Sequence, residues 1–128
     1  MEKRAVNPWD WQIGFSQAWR VDGAESVVYV AGQGPVSEEG ALVGEGDFEA
    51  QVRQTLENLR TVLEQAGASL DAVVKTTVFL TDIATLREYG RIRAELMPVE
   101  PPASTAVQIG ALALPGMAIE VEAVAVVG

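Results

Sequence analysis

The chain has 128 residues, a formal net charge of −9, and 48% hydrophobic residues, which together predict one globular domain, residues 1–128. It contains no His and no Cys, so disulfides, thiol catalysis and a His/Cys zinc site are excluded, and we expect no metal. The negative charge argues against nucleic acid as a partner. Neither a signal peptide nor a membrane span is recognised, which predicts a cytoplasmic protein without a membrane partner.

The first 46 residues are predicted to contain two strands. Residues 12–21 suit a strand, and the β-branched and aromatic residues 26–31 (SVVYVA) predict a second one. Gly32 follows at its end and permits close approach of a ligand or of a neighbouring strand. Residues 37–46 are polar and Gly-rich and predict a loop or a small ribbon.

Three tryptophans lie near the N-terminus, at Trp9, Trp11 and Trp19. They either pack on the surface of the core or wall a ligand pocket, because Trp combines a large apolar area with a polar edge. The sequence leaves both interpretations open.

Two helices flank a buried strand. The first is predicted from Asp47 to Gly67, since apolar residues recur there at steps of three and four. Residues 72–80 (AVVKTTVFL) read as the strand. The second helix is predicted from residue 81 or 82 to residue 97, and its arginines are expected on solvated faces, with an acid or a ligand carboxylate as the alternative for one of them. These arginines are Arg87, Arg91 and Arg93.

The C-terminal stretch predicts a strand at 105–109, a turn and a final strand at 117–127. Glu120 and Glu122 interrupt the apolar residues of the final strand, and a spacing of two places them on one face. They either lie beside solvent or an arginine, or one of them is a general acid/base.

The element order favours an α+β two-layer sandwich, with a mixed sheet of about six strands and both helices on one face. Apolar residues on both sides of the late strands then leave the second sheet face in need of cover. We therefore expect a closed homo-oligomer.

Nearly the whole chain resembles the Rid family, also called YjgF, the reactive intermediate deaminases. The segments that carry the resemblance are GFSQA at 14–18, AGQ at 31–33, QVRQTLENLRTVLEQAG at 51–67, VKTTVFL at 74–80, PASTAV at 102–107 and IEVEAVA at 119–125.

The resemblance implies a chorismate-mutase-like fold and a homotrimer with a central barrel and a cleft at each subunit boundary. Members with the full motif hydrolyse enamines and imines of the 2-aminoacrylate type to 2-keto acids and ammonia, without metal or organic cofactor. A glutamate matching Glu120 positions the attacking water, and an arginine holds the substrate carboxylate. The predicted site is therefore catalytic Glu120 with the substrate-binding residues Phe15, Ala31, Gly32, Gly90, Ser104 and Ala106.

Three polar groups of the family site are replaced here. Ser104 stands at the arginine position, Phe15 at that of a pocket tyrosine, and Gly90 at that of an asparagine. A neutral hydroxyl cannot replace a bidentate guanidinium, and losing about 1.5–3 kcal/mol costs about one to two orders of magnitude in affinity. The pocket is expected to suit a larger or uncharged ligand.

Two functions remain open from the sequence. The first is a cofactor-free hydrolase or deaminase of an enamine, imine or related reactive intermediate, with a substrate range altered by Ser104. The second is a trimer that binds a small molecule in the same cleft without turnover. Some relatives have been described as endoribonucleases, but the charge of −9 and the absence of His argue against RNA as a substrate.

Overall fold

The computed structural model describes residues 1–11 and 13–128, and the elements in this part of the chain are six strands and two α-helices. Single 3₁₀ turns at Leu70–Ala72 and Ile83–Thr85 precede the fourth strand and the second helix. In chain order the elements are β1 Glu2–Val6, β2 Ala18–Asp22, β3 Ser26–Gln33, α1 Phe48–Gln65, β4 Val73–Leu80, α2 Leu86–Leu96, β5 Ala103–Gln108 and β6 Ile119–Val127.

Four of the strands form a mixed sheet in the order β3-β6-β4-β5. β6 runs antiparallel to both of its neighbours, whereas β4 and β5 are parallel and are joined by the α2 crossover. β1 and β2 pair with each other as a separate antiparallel ribbon. The predicted α+β two-layer sandwich with two helices on a mixed sheet is confirmed. The sheet has four strands and not about six, because β1 and β2 pair with each other as a separate ribbon.

The core lies between the helices and one face of the sheet. Alternate residues of β6 point into it, and so do the apolar side chains along the inner faces of α1 and α2. The buried residues of these three elements are Ile119, Val121, Ala123, Ala125, Val52, Leu56, Leu59, Leu63, Tyr89 and Ile92.

The first helix agrees with its prediction at both ends. The Asp47 carboxylate caps it by accepting a hydrogen bond from the backbone N–H of Ala50 at 3.1 Å. Beyond its last turn, Gly67 takes a φ of +82°, a left-handed conformation that favours glycine.

The second helix begins later than predicted. Asp82 does act as a cap, accepting from the N–H of Ala84 at 3.0 Å, but the residues it caps form the 3₁₀ turn. The regular helix starts only at Leu86. The last two strands also start at other residues than predicted. β5 starts at Ala103 and not at residue 105, and β6 starts at Ile119, after the turn that holds Met117.

The strand predicted nearest the N-terminus is longer than the strand observed there. The strand expected over residues 12–21 is confined to β2, and Gln12 lies outside the described residues. β1 was not predicted, because its sequence EKRAV carries three charged residues in a row and no apolar alternation. Its pairing with β2 supplies the backbone hydrogen bonds that its side chains do not signal.

Within the described residues, no helix combines the length and the apolar character that crossing a membrane requires.

Gln51 connects three segments at the N-terminal end of α1. Its side-chain N–H groups donate to the carbonyls of Gly44 at 3.1 Å and Gly116 at 2.9 Å, and its carbonyl oxygen accepts from the N–H of Ala118 at 2.8 Å. The Gln51 side chain is buried, so its own polar atoms depend on these three contacts.

We expect Gln51→Met to lower the free energy of unfolding by about 2–4 kcal/mol, because three hydrogen bonds that join three segments around a buried side chain are lost. Thermal denaturation should show a fall in Tm of roughly 5–15 °C. Gln65→Met, at an exposed position near the end of the same helix, is the control and should change stability by less than about 0.5 kcal/mol. Equal melting curves for the two variants would contradict this account of Gln51.

Candidate functional site

A cavity of about 790 Å³ lies between α2, β5 and the segment that precedes β2. Four of the predicted substrate-binding residues line it, namely Phe15, Gly90, Ser104 and Ala106. Most of its remaining wall is apolar, with contributions from Ile83 and Leu86 among others. The structure thus brings together the residues at which the sequence departs from the family pattern.

The Ser104 hydroxyl has a polar partner on the neighbouring strand. Thr76 pairs with Ser104 in the β4–β5 register, and its hydroxyl donates to the Ser104 oxygen at 2.9 Å. Thr76 is buried in the helix-covered face of the sheet, so Ser104 faces the same side.

Arg93 lies in the wall of this cavity, and the expectation that it is solvated was wrong. The residue is only 7% exposed. Its Nη2 donates to the carbonyl of Gly14 at 3.2 Å, while Nη1 is buried without a hydrogen-bond partner among the described residues. Burial lowers the pKa of Arg93 from its ordinary value, because it disfavours the charged form.

The helical spacing contained a signal for this burial. Arg93 follows Tyr89 by four residues, the spacing that places two residues on one helix face, and Tyr89 and Ile92 are the other buried residues of α2. A charged residue within an apolar stripe indicates an inward-facing side chain, and the polar character of Arg obscured that indication.

Tyr89 is a second buried polar group of the cavity wall. It is 4% exposed, and its hydroxyl has no hydrogen-bond partner in the described part of the chain. Burial raises the pKa of Tyr89 to about 12, although the nearby positive charge of Arg93 acts in the opposite direction.

Glu120 lies on the other face of the sheet. It pairs with Phe79, whose neighbours Val78 and Leu80 are buried under the helices, so Glu120 and Phe79 point away from the helices. The Glu120 side chain is partly buried. It passes directly over Gly32, where an added Cβ would come within 2.7 Å of its carboxyl carbon and 2.9 Å of its Cγ.

Ala31 and Gly32 form an irregularity in β3 beside Glu120. Val30 pairs with Ala123 and Gln33 pairs with Val121, so one extra residue of β3 is accommodated between these two pairs. Such a bulge bends the strand and leaves backbone polar groups outside the ladder. The glycine predicted to allow a close approach is therefore approached by Glu120.

Glu122 occupies a different environment on the same strand. It pairs with Thr77, is exposed, and lines a shallow cavity of about 280 Å³ together with Lys75, Tyr29 and Ala31. The two carboxylates share a face of β6, as their spacing predicted. Glu120 packs directly on Gly32, whereas Glu122 borders the shallow cavity beside Ala31.

The tryptophans divide into two groups. Trp9 and Trp11 stack with ring centroids 4.7 Å apart and an interplanar angle of 16°, yet they remain 54% and 57% exposed. They line a surface cavity of about 490 Å³ that also contacts Phe15. Trp19 instead anchors the N-terminal ribbon, because its indole N–H donates to the carbonyl of Pro101 at 2.9 Å.

The predicted site residues therefore form two groups within one chain. Ser104 and its neighbours face the helix side at the β5 edge, whereas Glu120, Ala31 and Gly32 lie on the opposite face near the β3 edge. Among the described residues, no cluster of three or more acidic side chains is placed to hold a metal ion.

Known proteins match the chain over nearly its full length. The family model for endoribonuclease L-PSP matches residues 10–127. A RutC family protein of Pyrococcus abyssi is 36% identical over 111 residues, which cover 87% of this chain and 84% of that protein. The 3-aminoacrylate deaminase RutC of Acinetobacter baylyi is 39% identical over 102 residues, or 80% of each chain.

A crystal structure of a Rid family protein, YyfB from Yersinia pestis, superposes with a TM-score of 0.88 at 34% identity, covering 99% of this chain and 100% of that one. With the family model matched over residues 10–127, this chain belongs to the endoribonuclease L-PSP family, which includes the Rid and RutC proteins.

Proposed function

We propose that the protein is a cofactor-free hydrolase that deaminates an enamine, an imine or a related reactive intermediate. The observation that carries this proposal is the packing of the Glu120 carboxylate on Gly32 at the β3 bulge, where a side chain larger than glycine would collide with it. A carboxylate set beside backbone groups that have left the strand ladder suits the activation of water. Deamination is also the activity named for the RutC relative of Acinetobacter baylyi.

The reaction needs only water and proton transfer. Glu120 accepts a proton from a water molecule as the water oxygen attacks the carbon of the C=N bond, and it returns that proton to the nitrogen, giving a carbinolamine. The carboxylate then takes the proton of the new hydroxyl group and passes it to the amine nitrogen, the C–N bond breaks as the C=O bond forms, and a carbonyl compound and ammonia leave. An enamine enters this sequence after tautomerising to the imine. Backbone groups at Ala31–Gly32 polarise the substrate.

The proposed substrate range differs from that of relatives with the β5 arginine. Ser104 offers a hydroxyl already bonded to Thr76, and Phe15 offers a ring without a hydroxyl group. The apolar cavity of about 790 Å³ is large for a three-carbon substrate and suits one with a bulkier hydrophobic group.

We further propose that the site is completed by a second copy of the chain within a homotrimer. One substrate molecule cannot contact Glu120 and the cavity beside Ser104 in a single chain, because these lie on opposite faces of the sheet. β3 and β5 are the two edge strands of that sheet, and residues such as Val27, Tyr29 and Val107 are exposed along them. Contact between the β3 side of one copy and the β5 side of another buries these residues and joins the two halves of the site.

The alternative of binding without turnover is favoured by the apolar cavity and by the Ser104 replacement. It predicts stabilisation of the protein by a ligand and no hydrolysis of any imine. RNA as a substrate is disfavoured by the net charge of −9.

Replacing Glu120 should abolish most of the activity. We expect Glu120→Gln to lower kcat by about 10²–10⁴-fold, because the amide cannot accept the proton of water. The measurement is ammonia release from imines generated by an amino-acid oxidase from hydrophobic amino acids. Glu122→Gln is the matched control, two residues along the same strand face, and should retain the wild-type rate. Equal rates for wild type and Glu120→Gln would remove Glu120 from the mechanism.

A methyl group on the bulge should displace the Glu120 carboxylate. We expect Gly32→Ala to lower kcat by about tenfold or more while Tm changes little, since the group that must move is the end of a flexible side chain. At Gly110 an added Cβ meets nothing within 4 Å, so Gly110→Ala is the control for the general effect of losing a glycine. An unchanged rate in Gly32→Ala would show that the position of the carboxylate is immaterial.

Subunit mixing tests the completion of the site by a second copy. Glu120→Gln removes the proposed base, and Gly90→Trp fills the cavity from α2 at a position where a Cβ has open space. Each variant alone should be inactive, whereas co-expression of both should restore about a quarter of the sites, those that take Glu120 from one chain and the cavity from the other. A monomeric mass, or mixed oligomers without activity, would contradict the shared site.

A further inference from the structure

We propose that Arg93 and Tyr89 form an anion-binding site in the wall of the large cavity, and that its ligand is a carboxylate bearing an apolar group. The identification of this carboxylate as the substrate rests on the proposed function, whereas the existence of the binding site does not. Binding itself can be measured without turnover.

The two side chains present donors that the fold leaves unused. The Arg93 guanidinium carries five N–H groups, and its one hydrogen bond within the described residues is the 3.2 Å contact from Nη2 to the Gly14 carbonyl. The Tyr89 hydroxyl is buried and has no acceptor in the part of the chain that the structure describes, and it lies close enough for Arg93 to affect its pKa. Buried donors are normally bonded, so their occurrence on one cavity wall points to an acceptor that enters the cavity.

Charge gives the same indication. Elsewhere on the helices, arginines form ion pairs with glutamates. Arg91, two residues before Arg93, contacts both Glu49 and Glu95. None of the ion pairs found in residues 1–11 and 13–128 includes Arg93. A buried cation without a counter-charge is costly, and an anionic ligand removes that cost.

The ligand must also satisfy the rest of the cavity, which is mainly apolar. Ile13, Phe15, Ile83, Leu86 and Pro102 contribute to its lining. A carboxylate accepting from Arg93 and Tyr89 would leave its hydrophobic group against these side chains. Inorganic anions and short dicarboxylates would lack that contact and are expected to bind more weakly.

Arg93, the residue proposed to bind the carboxylate, lies on α2 and not on β5. A guanidinium binds a carboxylate through two parallel N–H groups, and among the described residues only Nη2 of Arg93 is engaged, by the Gly14 carbonyl. Ser104 lines the same cavity from the strand side and adds a hydroxyl, so carboxylate recognition does not require an arginine at that position.

Calorimetric titration with 4-methyl-2-oxopentanoate and with its methyl ester tests the site, since the two probes differ in charge and share the apolar group. We expect the acid to bind wild-type protein about 10–100-fold more tightly than the ester. Arg93→Gln should remove this difference and leave ester binding unchanged. Arg91→Gln, an exposed arginine of the same helix, is the control and should bind both probes as the wild type does.

Equal affinities of wild type for acid and ester, no binding of either, or full acid preference in Arg93→Gln would each overturn the proposal. Should Arg93→Gln fail to fold, Tyr89→Phe and Arg93→Lys decide instead. Tyr89→Phe should weaken acid binding about fivefold and Arg93→Lys should keep part of the preference, whereas no change in Tyr89→Phe would exclude it. Intact acid binding without imine hydrolysis would refute the proposed hydrolase and not this site.

Discussion

β6 lies between β3 and β4 in the sheet, and its side chains alternate between the face beneath the helices and the opposite face. Its odd-numbered residues from Ile119 to Ala125 fill the core beneath the helices, and its even-numbered residues, among them Glu120 and Glu122, must then face the other way. A shift of the strand by one residue would bury both carboxylates against leucines of α1. The register that forms the core thus fixes Glu120 on the face away from the helices, where the bulge at Gly32 receives it.

The same alternation explains what could be predicted from the sequence. The three- and four-residue steps of α1 and the apolar, β-branched residues of β4 and β6 indicate which elements are buried, so the two-layer arrangement could be predicted. The spacing of two placed both glutamates on one face of β6, but apolar residues on both sides of the strand did not indicate which face the helices cover. β1 carried no such pattern, because a strand in an exposed ribbon is stabilised by backbone pairing and its charged side chains remain in water. The late start of α2 depends on the Asp82 cap closing a 3₁₀ turn, which sequence preferences do not distinguish from a helical one.

The candidate site was predictable only in part. The residues that the resemblance places at the replaced positions of the family site, Phe15, Gly90 and Ser104, do line one cavity. Their separation from Glu120 depends on strand order and register, which are tertiary properties. Arg93 was missed because a lone arginine is exposed far more often than buried, and its helical spacing was outweighed by that preference. Trp19 likewise has a structural role, a hydrogen bond to Pro101, that its sequence position does not reveal.

A guanidinium on α2 changes the geometry of substrate recognition. The resemblance implies a family arginine on β5, whereas Arg93 lines the cavity from α2 and Ser104 lines it from β5. An anion held by Arg93 as we propose would lie beside α2 and would leave the space next to Ser104 to the rest of the ligand. The small residues at Ser104, Ala106 and Gly90 fit this proposal, since each leaves room where a larger side chain would stand. Under the proposal, the replaced residues and the buried Arg93 belong to one change, in which the positive charge moves from strand to helix and the cavity suits a larger hydrophobic acid.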